Sequence, residues 1–193
     1  MTPQQQQALI QLGNRAEMGL YKFKRTMELA RVQRVLGILK GLAPVELLDV
    51  GSGRGTFLWP CLNAFPELPV MAIDLDSQRV ADILAVRDGG ITHLSALQMD
   101  ATALSFPNRA FDVVTFLEVL EHIPNPQVAL TEVVRVAKRF VIVSVPSQPD
   151  DNPEHLHLFE TNSLSQMLKT AGAARTSFEP VLNHLIAIAK IGE

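Results

Sequence analysis

The chain has 193 residues, 47% of them hydrophobic and 19% charged, which is the balance of a globular domain long enough to bury a core and not that of a disordered segment. A net charge of −3 without blocks of like charge disfavours broad electrostatic capture of nucleic acid. The single cysteine, Cys61, excludes an internal disulfide and fits a reducing compartment. The opening stretch MTPQQQQALIQLGNR lacks the basic-then-apolar build of a signal peptide, and no apolar run reaches the ~18 residues of a membrane span. The expected setting is therefore the cytoplasm, with no transmembrane segment.

Along the chain, Gln4 to Leu20 reads as a first, weaker helix broken at Gly13 or Gly19. Phe23, Met27, Ala30, Val35, Ile38 and Leu42 then recur at helical spacing between Lys24, Glu28, Arg31 and Arg34. Residues 1–43 are expected to form an N-terminal helical cap, with Tyr21 and Phe23 helping to cover a pocket and the basic residues as a solvated face. After Pro44 short apolar runs alternate with helical segments. VELLDV (Val45–Val50), VMAID (Val70–Asp74), LSALQM (Leu94–Met99), FDVVTFL (Phe111–Leu117) and FVIVSV (Phe140–Val145) read as strands. Several are apolar throughout, as parallel strands covered on both faces require. Helices are expected near Thr56–Phe65, Ser77–Asp88, Pro126–Ala137 and Asn162–Thr170. Asn125 is the expected N-cap of the third, with Pro126 at its first position, and Gly172 stops the fourth. RTSFEPVL and HLIAIAKI around Asn183 form a hairpin. This order predicts one α/β domain over residues 44–193: a doubly wound, mostly parallel, Rossmann-like sheet with an antiparallel strand at or near its edge.

The sharpest local signal is LLDVGSGRGTF (Leu47–Phe57). A buried strand delivers Asp49, and Gly51, Gly53 and Gly55 follow at alternate positions before a helix opens. Glycines there permit a tight turn and a close approach of backbone to ligand, while the new helix offers unpaired N–H groups. The spacing is G-x-G-x-G, not the G-x-G-x-x-G of a dinucleotide-binding loop. Asp74 ends the second strand about twenty residues on, where a carboxylate accepts hydrogen bonds from ribose hydroxyls. Asp100, in LQMDATALSF, places another polar group at the same sheet edge. Either aspartate alone also suits a helix cap or turn; three successive strand ends each supplying the expected group do not.

From about Leu36 to Ile191 the chain resembles the class I S-adenosylmethionine-dependent methyltransferases. LLDVGSGRG is similar to their first motif, AIDLD to their second-strand acidic motif, and MDATALSFPNRAFDVV to their third-to-fourth strand passage. EVLEHIPNP resembles the segment after the fourth strand in the branch that contains ubiquinone-biosynthesis O-methyltransferases. The resemblance implies S-adenosyl-L-methionine as cofactor. Asp49, Gly51, Ser52, Gly53 and Gly55 would border its methionine part, Asp74 its ribose and Leu75 its adenine. Asp100 and Ala101 would meet the adenine amino group, and Phe116 to Glu118 would run along the cofactor near the reacting centre. VAKRFVIVSVP departs from the pattern by lacking the Pro-Gly-Gly turn often found before the fifth strand.

Candidate acid–base groups follow two strand ends: Glu118, Glu121 and His122 in FLEVLEHIPNP, and Asp150, Asp151, Glu154, His155, His157 and Glu160 in the proline-rich loop SVPSQPDDNPEHLHLFE. If the first segment is helical, its three polar residues share one face. Glu118, His122 and His157 are the expected catalytic residues, for proton transfer beside the methyl donor. E-x-x-E-H with a later histidine is also similar to the metal site of small-RNA ribose 2′-O-methyltransferases; the same segment resembles many metal-free enzymes, and no metal is assigned. Trp59, Phe57 and Cys61 are expected to pack the first core helix. The expectation is methyl transfer to a small-molecule or lipid-like acceptor, at oxygen. An RNA-terminal 2′-O-methyltransferase, a non-catalytic S-adenosylmethionine-binding protein and, more distantly, a nicotinamide-dependent dehydrogenase are the alternatives. Nucleic acid is disfavoured as a partner, and the oligomeric state is left open.

Overall fold

The computed structural model describes residues 29–149 and 152–192. The expectations for Gln4–Leu20, Tyr21 to Arg25, Asp150 and Asp151 lie outside these residues. The described order is α1 (Ala30–Leu42), β1 (Leu47–Val50), α2 (Leu58–Ala64), β2 (Val70–Asp74), α3 (Ser77–Asp88), β3 (Leu94–Gln98), β4 (Phe111–Leu117), a 3-10 turn (Leu120–His122), α4 (Pro126–Val136), β5 (Ala137–Pro146), α5 (Thr161–Thr170), β6 (Ala173–Val181) and β7 (His184–Ile191).

Seven strands form one sheet in the order β3-β2-β1-β4-β5-β7-β6. β1 pairs in parallel with both β2 and β4, and β5 in parallel with β4; β7 runs antiparallel to β5 and β6. The chain therefore winds outward from β1 in both directions, and the crevice between the carboxyl ends of β1 and β4 is where such a sheet binds ligands. Every residue of β1 is buried, and β4 is buried over its first six residues, because helices cover both faces. On one face Val32, Val35 and Leu39 of α1 pack with Leu58 and Cys61 of α2 and with Ile83 of α3. On the other, Leu130 and Val133 of α4 pack with Leu164 and Leu168 of α5. Phe57 and Cys61 are buried as expected, and Trp59 lies against the same cluster.

Two local expectations change. Asn125 makes no side-chain cap bond; its carbonyl accepts from Val128 N (3.2 Å), and Pro126 opens the helix without an N–H to satisfy. β5 begins at Ala137, three residues earlier than its apolar run, directly where α4 ends. This is the missing Pro-Gly-Gly turn seen in space: the helix passes into the strand with no connection between them.

The irregular 104–108 stretch is held by the side chains of Arg135 and Glu132. Arg135 donates to the carbonyls of Leu104 and Phe106 (both 2.8 Å), to Asn108 Oδ1 (2.9 Å) and to Glu132 (2.7 Å), while Glu132 Oε2 accepts from Leu104 N (2.8 Å). Arg135→Met, which keeps the aliphatic stem but removes these donors, is expected to cost about 2 kcal/mol and roughly 6 °C of melting temperature by calorimetry.

Candidate active site

The glycine loop leaves β1 with Gly51, Gly53 and Gly55 all at positive φ (71°, 57° and 78°). Its backbone is tied to β2: Gly51 N and Ser52 N donate to Ile73 O (2.8 and 3.1 Å), and Gly53 N donates to Asp74 Oδ2 (2.7 Å). A Cβ on Gly53 would meet nothing nearer than 3.8 Å. That glycine thus faces open space, while its φ remains one that L side chains rarely adopt.

Beside the loop lies a cavity of about 150 Å³. Its floor is the glycine loop and Asp49; its wall is Leu117, Glu118 and Ser144; Arg31, Val32 and Val35 of α1 close it from above. Asp49 sits opposite Thr115 in the β1–β4 register, so that Oδ1 accepts from the Thr115 hydroxyl (2.7 Å). Its other oxygen, Oδ2, is buried and has no hydrogen-bond partner among the described residues. Burial pushes the Asp49 carboxyl up to about 6, against the hydrogen bonds of Thr115 and Ser52, with the charge of Asp74 adding to the rise.

A carboxyl raised in the folded state binds its proton where the unfolded chain, titrating near 3.8, has released it. The stability it contributes is complete below that value and is lost as pH rises through about 6. Chemical denaturation of the cofactor-free protein should therefore show a decline on the order of 3 kcal/mol between about pH 4 and pH 6 from this group. Asp49→Asn should lack that decline.

Asp74 is 5% exposed and already accepts from Gly53 N and from Asp76 N (3.0 Å), with Arg79 at 3.6 Å. It braces the glycine loop from below. Leu75, next to it, is 67% exposed, an apolar side chain held in solvent at the edge of the crevice. Asp100 accepts from Thr102 N and Oγ1 (both 2.8 Å) in a local turn, beside half-buried Ala101. The Phe116 side chain is fully buried in the core, so that position offers only its backbone to the crevice.

The trio of FLEVLEHIPNP does not share a face. Glu118 adopts φ 56°, which ends β4 abruptly, and only Leu120–His122 form a turn of 3-10 helix. Glu118 turns into the cavity wall, where Oε1 accepts from Ser144 Oγ (2.5 Å), Oε2 lies 3.0 Å from His184 Nε2, and Arg31 Nε stands at 3.6 Å. Burial raises its carboxyl, but the hydrogen bonds from His184 and Ser144 and the charge of Arg31 outweigh it, and the net effect holds Glu118 below its usual range. Glu121 is fully buried. His122 Nδ1 meets the Glu154 carbonyl (3.0 Å), and its ring stands edge-on to His155 at 4.8 Å. His157 Nε2 meets the Ile123 carbonyl (3.0 Å), and Leu156 N donates to Glu121 O (2.8 Å). Residues 152–159 are thus strapped over the 118–123 turn. Of the three expected catalytic residues, Glu118 lines the cavity; His122 and His157 fasten the strap.

Glu121, His122 and His155 each bring one ligand atom within 4.8 Å of the others, the one such group among the described residues. One carboxylate and two imidazoles suit a divalent transition metal better than magnesium. Glu118 and His157 do not belong to this group. Sequence reasoning missed Ser144 and His184, which depend on β5 pairing with β7. The helical spacing around Arg31 was legible, its place over the cavity was not.

A buried carboxylate oxygen without a partner, a cradle of left-handed glycines and two cationic side chains, Arg31 and Arg54, on the cavity lining fit the zwitterionic methionine end of S-adenosylmethionine. The family model for a methyltransferase domain matches residues 48–143. The 2-methyl-6-phytyl-1,4-hydroquinone methyltransferase of Synechocystis is 33% identical over 135 residues, 68% of this chain and 42% of that protein. The ubiquinone biosynthesis O-methyltransferase of Nitrosomonas europaea is 30% identical over 110 residues, 56% of this chain and 46% of that protein. The match therefore spans less than half the length of these curated relatives. Among solved structures, a SAM-dependent methyltransferase from Aquifex aeolicus shares the fold, with TM-score 0.74 and 20% identity over 92% of this chain and 98% of that one. No helix among the described residues is long and apolar enough to cross a membrane. The chain belongs to the class I S-adenosylmethionine-dependent methyltransferases, and S-adenosylmethionine is its cofactor.

Proposed function

We propose that this protein transfers the methyl group of S-adenosylmethionine to an oxygen of a small aromatic, quinone-like acceptor. The observation that carries the reading is one cavity holding both the glycine cradle and, within its wall, an ionised Glu118 tied to Arg31, Ser144 and His184. The hydroquinone methyltransferase and ubiquinone-biosynthesis O-methyltransferase relatives support the acceptor class. A lipid-like body would find an apolar approach in the exposed Leu156 and Leu158 of the strap and in Leu182 of the β6–β7 turn. That turn is joined to the start of the strap's loop by Ser147 N donating to Asn183 O (2.9 Å).

In this reading Asp49, Gly51, Ser52, Gly53 and Gly55 hold the methionine end, and Asp74 and Leu75 the ribose and adenine. Asp100 and Ala101 take the adenine edge, and the backbone from Phe116 to Glu118 flanks the sulfonium. The cofactor supplies an electrophilic methyl, and the protein's work is to align a nucleophile behind it and receive its proton. α1 acts as a cap on the 44–193 core, closing the cavity over Val32 and Val35. His122 and His157 keep the strap, and with it the acceptor's entrance, in place.

The test is methyl transfer from labelled S-adenosylmethionine to a panel of catechols and hydroquinones, with products resolved by mass spectrometry. A methyl ether is the expected product. Methyl on a ring carbon would refute the oxygen assignment, and transfer only to short RNA would refute the acceptor class.

A further inference from the structure

The first residue of β7, His184, is absent from every motif the chain displays, yet it stands against Glu118 of the cavity wall. His184 pairs with Pro146 at the end of β5, two residues before Ile186 pairs with Ser144. The period of two puts the His184, Ile186 and Ser144 side chains on one face of the sheet. Ile186 belongs to the core cluster that α1 covers, so this is the face on which the cavity opens. His184 Nε2 lies 3.0 Å from Glu118 Oε2, and the side chain keeps 23% of its surface exposed. The other ring nitrogen, Nδ1, has no partner among the described residues. Around the pair stand Arg31 from α1 and Ser144 from β5, both on Glu118.

A carboxylate that accepts from one imidazole nitrogen fixes the tautomer, leaving the lone pair on the other. We propose that His184, held in its Nε2–H tautomer by Glu118, is the proton acceptor of the reaction, and that the acceptor is a neutral, weakly acidic hydroxyl compound of the phenol class. This rests on the oxygen-methylation reading above and adds the base to it. In the step, the phenolic O–H gives its proton to His184 Nδ1 as the oxygen attacks the methyl carbon. The new O–CH3 bond forms while the S–CH3 bond breaks, and its electron pair stays on sulfur. The products are a methyl ether, S-adenosylhomocysteine and an imidazolium paired with the Glu118 carboxylate. His184 is catalytic; Glu118 positions it, and Arg31 and Ser144 in turn fix Glu118.

The experiment reads the tautomer, the proton and the rate on the full chain. In 15N-histidine NMR with S-adenosylhomocysteine at pH 8, the His184 signal, identified by its loss in His184→Gln, should be that of Nε2–H with bare Nδ1. Glu118→Gln should give a mixture. A bare Nε2 in the wild type overturns the proposal. With the same cofactor product bound, 4-nitrocatechol added below the pH at which the free probe ionises should show the absorbance of its anion on the wild type and of the neutral form on His184→Gln. A wild type that leaves the probe neutral or unbound, or a variant that ionises it equally, also overturns the proposal. In turnover with a catechol, His184→Gln should lose 10²- to 10⁴-fold in kcat, of the order expected for general-base catalysis, with KM for S-adenosylmethionine unchanged. A methyl ether made at the wild-type kcat by His184→Gln removes His184 and leaves oxygen methylation standing. A carbon-methylated product removes the oxygen reading whatever the variant does.

Discussion

Gly55→Ala should lower the melting temperature by roughly 8 °C, the largest stability effect expected of a single methyl group in this protein. A Cβ at Gly55 would stand 2.1 Å from Cε2 and Nε1 of Trp59. The indole is held there by its donation to Arg54 O (2.9 Å), so relief requires the ring to swing away and give up that bond. The left-handed backbone at φ 78° adds its own cost for an L residue, about 1–2 kcal/mol. Strain and overpacking together give about 3 kcal/mol. The two contributions separate in a double-mutant cycle. Trp59→Leu removes the ring, so in that background Gly55→Ala should cost only the backbone share, with a coupling of about 1–2 kcal/mol. A Gly55→Ala protein melting within a degree of wild type would contradict the contact between loop and ring.

Asp74→Ala should weaken S-adenosylmethionine binding about 100-fold in calorimetry, the equivalent of two lost hydrogen bonds at tenfold per 1.4 kcal/mol. Two causes act together. The carboxylate proposed for the ribose hydroxyls is gone, and so is the acceptor that holds Gly53 N at 2.7 Å and keeps the loop in its left-handed path. Asp74→Asn keeps an acceptor oxygen for the loop while losing the charge, and should fall between wild type and alanine. Unchanged affinity in Asp74→Ala would sink the assignment of this strand end to the cofactor.

How far such reasoning reaches is visible in particular elements. β2, β4 and α3 occupy the residues expected of them because each is specified locally: continuous apolar runs make the strands, and Asp76 caps α3 by accepting from Gln78 N (2.8 Å). The order of strand ends was legible for the same reason, each being an apolar run stopped by a polar residue. The shared face that a helix would give Glu118, Glu121 and His122 does not form, since helical spacing presumes a right-handed path and Glu118 leaves it at φ 56°. Nothing in EVLEH marks a glutamate for a left-handed conformation; it is held there by Ser144, whose hydroxyl donates to the Glu118 side chain and whose carbonyl accepts from Glu118 N (2.9 Å). His184 escaped notice because its chemistry depends on β7 lying beside β5, a pairing across the sheet that no local pattern encodes. Only the rule that such sheets admit an antiparallel strand near the edge pointed toward it.

The wall of the cavity has a bearing on biosynthesis. Glu118 is organised by Arg31, Ser144 and His184, which leave the ribosome at widely separated moments. The glycine cradle, Asp49 and Asp74 all emerge within the first two strands and their loop. A nascent chain therefore displays the groups proposed for the methionine end and the ribose long before those that organise Glu118 have all been made. β7, by closing onto β5, is the element that brings His184, the proposed proton acceptor, to Glu118.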